Sequence, residues 1–328
     1  MSTKTESRRE GRNTGATLQN AARARNAETS DAAVNRSAAV DLPDVFPKRR
    51  DAETQRKQKQ TAGNAPGDFS LRLCVSAFPN LLLLLFVAPP LFSSSTRAGE
   101  LDGVRQLVVA TAPTWDSFEG SAQRFERAGG AWKSVGKPWA VLYGKRGLAW
   151  GMGVHGQEEA GLHKFENDGR SPAGVFRIGT IYTYDSALPA GSDYPFHTVT
   201  AADAWIDDGT HPQYNRHVLV DPKNPPPWYA KQRMRLGDFA YRWLVELRHN
   251  SDPPVPGRGS AIFFHLRRAP HRPSTGCTVM AEPDLTALIR WLRADAKPHF
   301  VLLPRGEYVA KWKTWNLPSP EIATALLP

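Results

Sequence analysis

A mainly β fold with a few short helices is predicted by three features of this 328-residue chain. Short runs of β-branched, aliphatic and aromatic residues recur from Arg105 onward. Clusters of Gly, Pro, Asn and Asp separate them, and clear helical periodicity is confined to one segment. The first strand is expected over 106–111, where Leu107-Val108-Val109 lies between polar ends. Further strands are expected at 140–143, 174–178, 217–220, 243–247 and 261–265, each an apolar run bounded by turn residues. The periodic stretch 282–294 predicts a helix. Gly144-Lys145-Arg146-Gly147 reads as a hairpin turn and lacks the spacing of a phosphate-binding loop. The chain shows no internal repeat.

Ahead of this domain the composition changes twice. Residues 1–70 are rich in Arg, Ala, Asn, Thr and Gln and poor in aromatic clusters, so they are expected to form a disordered basic tail. Its basic groups, Arg8-Arg9, Lys48-Arg49-Arg50 and Arg56-Lys57, have no interleaved aromatic residues, and no nucleic-acid partner is expected. Within 71–98, an uncharged apolar run over 73–92 follows Arg72 and is interrupted by Pro79. Spanning a bilayer takes about 20 apolar residues. Two readings stand: a signal peptide with a long basic leader, cut after Ala98, or an uncleaved inner-membrane anchor. Both place the remainder in the periplasm or cell envelope. The expected domain runs over 104–310, with a C-terminal extension at 311–328. The formal charge of +10 suits polyanionic surroundings but names no partner.

Chemistry concentrates in one segment. The run Ser260-Ala261-Ile262-Phe263-Phe264 ends on His265, and a loop with Pro270 and Pro273 leads to Ser274-Thr275-Gly276-Cys277. The only other cysteine is Cys74, inside the apolar leader. Cys277 therefore has no disulfide partner in the domain, and an exported lone thiol is either buried or used. A thiol beside an imidazole can lose its proton to the ring and persist as an ion pair, and backbone N–H groups of a loop can hold an oxyanion. Cys277 is thus the expected nucleophile, His265 its base and His271 a reserve base. Arg267, Arg268 and Arg272 crowd the loop and suit carboxylates. Trp205 precedes Asp207 and Asp208 in a polar loop, where the acids could shape a turn or draw in a cationic amine. His211 and His217 lack zinc-site spacing, so no metal or other cofactor is expected.

These residues resemble the catalytic motif of the L,D-transpeptidase family, the YkuD-type domain. Its histidine lies at a strand end before a Ser/Thr-x-Gly-Cys loop. Segments 164–176, with Asp168-Gly169-Arg170-Ser171-Pro172-Ala173-Gly174, and 204–208 with Tyr214-Asn215, resemble a Gram-negative branch, as does 106–124 with Trp115. The resemblance covers roughly residues 104–305. It implies a β-sandwich-like catalytic domain acting on peptidoglycan stem peptides. Such enzymes expel D-alanine from a tetrapeptide stem, form a cysteine thioester and pass the acyl group to an amine. By that match Cys277 and His265 react, the Gly276 and Cys277 amides form the oxyanion hole, and Ser274 and Thr275 shape the substrate loop. Thr275 stands where better-known members have a second histidine, and Val279 where many have arginine. A hydrolase using water as acceptor and a non-catalytic peptidoglycan-binding domain are the alternatives.

Overall fold

The computed structural model describes residues 101–156 and 159–326. The basic tail and the apolar run 73–92 lie outside the described residues. Among the described residues no helix is long and apolar enough to cross a membrane.

The strands follow in the order β1 (Gln106–Ala112), β2 (Glu119–Ala128), β3 (Ala131–Leu142), β4 (Leu148–Trp150), β5 (Ser171–Thr183), β6 (Phe196–Thr198), β7 (Asp203–Trp205), β8 (His217–Leu219), β9 (Trp243–Leu247), β10 (Phe263–Leu266), β11 (Thr278–Met280) and β12 (His299–Pro304). Three short helices accompany them: α1 (Tyr229–Gln232), α2 (Glu282–Trp291) and α3 (Arg305–Lys311). The mainly β expectation holds. The main sheet runs β12-β1-β2-β3-β11-β10-β9-β5, and β5 pairs with β12 again, so the strands close on themselves like a barrel. Closure removes the two edges an open sheet would leave. β7 and β8 form a separate two-stranded ribbon.

Burial explains which strands are legible. Every residue of β1 is buried, between β12 and β2, and its apolar run has no polar face. β2 buries only Ala122, Gln123 and Phe125, and most of β3 is exposed up to Val141. The predicted strand at 140–143 is thus the buried end of a 12-residue strand. α2 packs Leu285, Leu288 and Ile289 into the core, and Leu292 follows at its end. Full burial of each such side chain contributes about 1.5–3 kcal/mol. The helix stops at Trp291 because Leu292 is already extended, with ψ 138°, three residues before the expected end.

The described part of the presumed extension belongs to the core. Leu317, Ala323 and Leu326 are buried in the main hydrophobic cluster, and the Leu326 carbonyl accepts from Thr111 Oγ1 on β1. Residues 144–147 form the expected tight turn, with the Gly147 N–H donating to the Gly144 carbonyl at 2.7 Å. Gly147 has φ +83°, and a Cβ there would stand 2.1 Å from the Trp115 carbonyl oxygen. Gly147→Ala is expected to cost about 2–4 kcal/mol from left-handed strain and overpacking, read as a fall in urea midpoint.

Candidate active site

β10 and β11 run parallel, with Phe264 opposite Thr278 and His265 opposite Val279. Cys277 immediately precedes β11, so the same register puts it beside Phe263. His265 is two residues further along β10, and side chains two apart share a face. The Cα atoms of His265 and Cys277 then lie about 8 Å apart, a gap that two inward side chains bridge. Parallel pairing, with the crossover through Pro270 and Pro273, brings the chain back to the same end of β10.

Each partner has a defined setting. His265 is buried, and its Nδ1 donates to the Leu266 carbonyl at 2.9 Å, which leaves the lone pair on Nε2. Burial lowers its pKa to about 4. Cys277 is partly buried, and its Sγ donates to the Ala261 carbonyl at 3.5 Å. Burial pushes the thiol up to about 11, opposed by the Phe263 N–H and by the charges of Lys164 and Arg268. The resting pair is therefore neutral thiol and neutral imidazole, in place of the ion pair expected from sequence. In a Cys74→Ser background, alkylation of Cys277 by iodoacetamide is expected to quicken about tenfold per pH unit between pH 7 and 10, following the thiolate. A plateau below pH 7 would mean an ion pair instead.

The carbonyl that holds the thiol is itself under constraint. Ala261 has φ +53°, in the left-handed region that β-carbon-bearing residues seldom adopt. Its N–H is held by Asn215 Oδ1 at 3.0 Å, while Asn215 Nδ2 donates to the His249 and Asn250 carbonyls. This kink also explains why β10 begins at Phe263 and not at Ala261.

A buried cation lies on the other side of the loop. Lys164 Nζ donates to Asp168 Oδ1 at 2.7 Å and to the Arg170 carbonyl at 2.8 Å, with both side chains of the ion pair almost fully buried. A Cβ added to Gly276 would stand 3.6 Å from that Nζ. Asp168 also accepts from the Phe165 and Arg170 amides, and Ser171 Oγ donates to the Cys277 carbonyl. The Asp168-to-Ser171 motif is thus the floor beneath the cysteine loop. Nearby, Glu166 accepts from Tyr214 Oη and Ser260 Oγ, and burial raises its pKa.

The expected site residues fall into two groups. Ser274 closes the loop: its Oγ accepts from the Gly276 N–H at 3.0 Å and donates to the Cys277 carbonyl at 2.5 Å. Gly276, expected to offer its amide to an oxyanion, spends it on that turn. Thr275 and Arg272 are exposed. Arg267 acts on Asp284 at the start of α2. The loop arginine nearest the pair is Arg268, which bonds Asp238 at 2.5 Å and lies over the Tyr241 ring, and Tyr241 packs on His265 at 5.1 Å between ring centroids. Trp205 is buried, its indole N–H on Asn215 Oδ1 and its ring 4.9 Å from Phe263. The Asp207 N–H donates to Gln232, and Asp208 Oδ1 accepts from Thr210 in a turn. His271 is an exposed side chain against Glu119.

Lys164, Asp168, Tyr241 and Asn215 were not predicted as site residues. A Lys and an Asp four apart across an Asn-Asp-Gly turn was the signal available for the first two. An open basin of about 510 Å³ adjoins the loop, where the Lys145 N–H donates to the Ser274 carbonyl. Lys145, Arg146, Arg170, Leu162 and Phe165 line it. Away from the thiol, His197, Asp203 and His217 gather three ligand-type atoms at one point.

The family model for the YkuD L,D-transpeptidase catalytic domain matches residues 128–301, more than half of the chain. The chain belongs to that family. The matched span opens at the end of β2 and takes in His265, the cysteine loop, Lys164 and Asp168. β1 and nearly all of β2 precede it, yet they pair with β12 and β3 to close the sheet. No curated protein and no solved structure matches the chain.

Proposed function

We propose that this L,D-transpeptidase-type enzyme links peptidoglycan stems by acyl transfer through Cys277. The observation that carries the reading is the parallel register that sets Cys277 and His265 on one face of adjacent strands, within a domain of this family. As Sγ attacks the carbonyl carbon preceding the terminal D-alanine of a tetrapeptide stem, its proton passes to His265 Nε2. That proton then goes to the departing D-alanine amine, and a thioester remains on Sγ. An amine of a second stem attacks the thioester, its proton returns through His265, and Sγ leaves as the thiol.

Burial of the neutral pair supports general-base transfer during attack over a preformed thiolate. The Lys164 ammonium, the Phe263 N–H and Arg268 favour negative charge at Sγ, and Lys164 adds a buried cation near Gly276 for the developing oxyanion. The basin with Lys145, Arg146, Leu162 and Phe165 offers cations for stem carboxylates beside apolar surface for the stem.

Export across a membrane, with action in the periplasm or envelope of a Gram-negative cell, completes the proposal. Its support is the apolar run 73–92 and the resemblance of 164–176 and 204–208. The test is D-alanine release from a disaccharide-tetrapeptide. Release with cross-linked dimer, dependent on Cys277, is expected. Release without dimer would make water the acceptor and the enzyme an L,D-carboxypeptidase.

A further inference from the structure

We propose that His197, Asp203 and His217 form a binding site for one divalent transition-metal ion of the zinc class. His197 Nε2 and His217 Nε2 approach the same oxygen, Asp203 Oδ1, at 2.5 and 2.6 Å, and the three ligand atoms lie within 4.8 Å of one another. Two imidazoles and a carboxylate are a donor set suited to zinc and its neighbours.

The three residues come from three elements. His197 lies on β6, which pairs with the outer part of β5, while Asp203 and His217 begin the two strands of the β7–β8 ribbon. Twenty residues separate the histidines, which is why sequence spacing between His211 and His217 gave no signal; His211 instead packs on Trp228.

The surroundings orient the donors. Asp203 Oδ2 is engaged by the Thr200 N–H and Oγ1, both at 2.7 Å, which turns Oδ1 toward the imidazoles. Such bonds behind a ligand fix its direction. Tyr182 packs on both imidazoles, at 5.9 and 5.0 Å between ring centroids. Asp203 is fully buried, whereas the His197 and His217 side chains remain 36% and 20% exposed, so an ion has access from solvent. A tetrahedral ion at about 2.1 Å from each ligand needs ligand atoms about 3.4 Å apart. Each imidazole therefore withdraws from Oδ1 by less than about 1 Å, a side-chain adjustment. Both rings stay neutral, and their remaining proton moves to Nδ1 as Nε2 takes the metal. Three protein ligands leave a fourth position for water.

The ion would clip β6 to the ribbon that carries Trp205, whose ring lies on Phe263 beside Cys277. This assignment is independent of acyl transfer.

Full-length protein without a histidine tag, dialysed first against zinc and then against metal-free buffer, provides the test. Wild type and Cys277→Ala are expected to retain about one zinc per chain, and His197→Gln and His217→Gln to lose most of it. Cobalt should give visible bands without a sulfur charge-transfer band. Chelation should lower the melting temperature of wild type and leave folded His197→Gln unchanged. Zinc content equal in wild type and both histidine variants would overturn the proposal, as would zinc retained by those variants and lost in Cys277→Ala.

Discussion

Replacing Cys277 with alanine is expected to reduce D-alanine release from a tetrapeptide stem by at least about a thousandfold while the protein stays folded. The side chain is small and partly buried, and its one printed contact, to the Ala261 carbonyl, is a weak sulfur bond at 3.5 Å. Removing it leaves the Ala261 oxygen short of a weak donor and costs little stability. The thiol's chemistry, in contrast, has no substitute on the same face of β10 and β11. Cys277→Ser should be nearly as inactive, because an alkoxide is far harder to reach than a thiolate beside a neutral imidazole. Activity within about tenfold of wild type in either variant would remove Cys277 from the reaction.

Lys164→Met is expected to be the most damaging change to stability, at about 3–5 kcal/mol by urea denaturation, because Asp168 is left as a buried charge without its cation. The Phe165 and Arg170 amides still reach that carboxylate, but neither neutralises it. Lys164→Met/Asp168→Asn should recover much of the loss, since the two substitutions remove the charges together. The folded double variant then separates support from electrostatics. If Lys164 stabilises charge near Cys277 and Gly276, its acyl transfer stays about a hundredfold slow despite restored stability. If the ion pair only holds the floor of the loop, activity returns with the fold. A cost below about 1 kcal/mol for Lys164→Met would show that the pair is not sealed from water.

The chain reveals those strands whose both faces are buried. β9 was legible residue for residue at 243–247, and β1 nearly so, because continuous apolar runs announce burial. β2 escaped notice since its buried residues are few and Glu119, Arg124, Glu126 and Arg127 dominate its composition. β12, at 299–304, is fully buried but follows a helix and a 3₁₀ turn without strong punctuation. For the site, the strand-end histidine and the Gly-Cys loop were enough to find Cys277 and His265. What no local pattern reveals is the pairing of distant segments. Asn215 reaches Ala261 across 46 positions, and Ser171 reaches the Cys277 carbonyl across 106. The choice among loop arginines turned on the same limit: Asp238 and Tyr241 select Arg268, and they come from another part of the chain.

The neutral state of the pair was also beyond the sequence. Burial sets it, raising the thiol and lowering the imidazole, while Lys164 and Arg268 pull the thiol part of the way back. A site in this condition protects its thiol from oxidation and alkylation until a substrate carbonyl is in place.

Intact-protein mass after brief incubation of the full-length chain with a disaccharide-tetrapeptide tests the central claim most directly. The expected result is an increase equal to the stem lacking its terminal D-alanine, mapped by digestion to the peptide containing Cys277, lost with hydroxylamine and absent in Cys277→Ala. D-alanine release with an adduct on another residue, or unchanged in Cys277→Ala, would contradict acyl transfer through this cysteine.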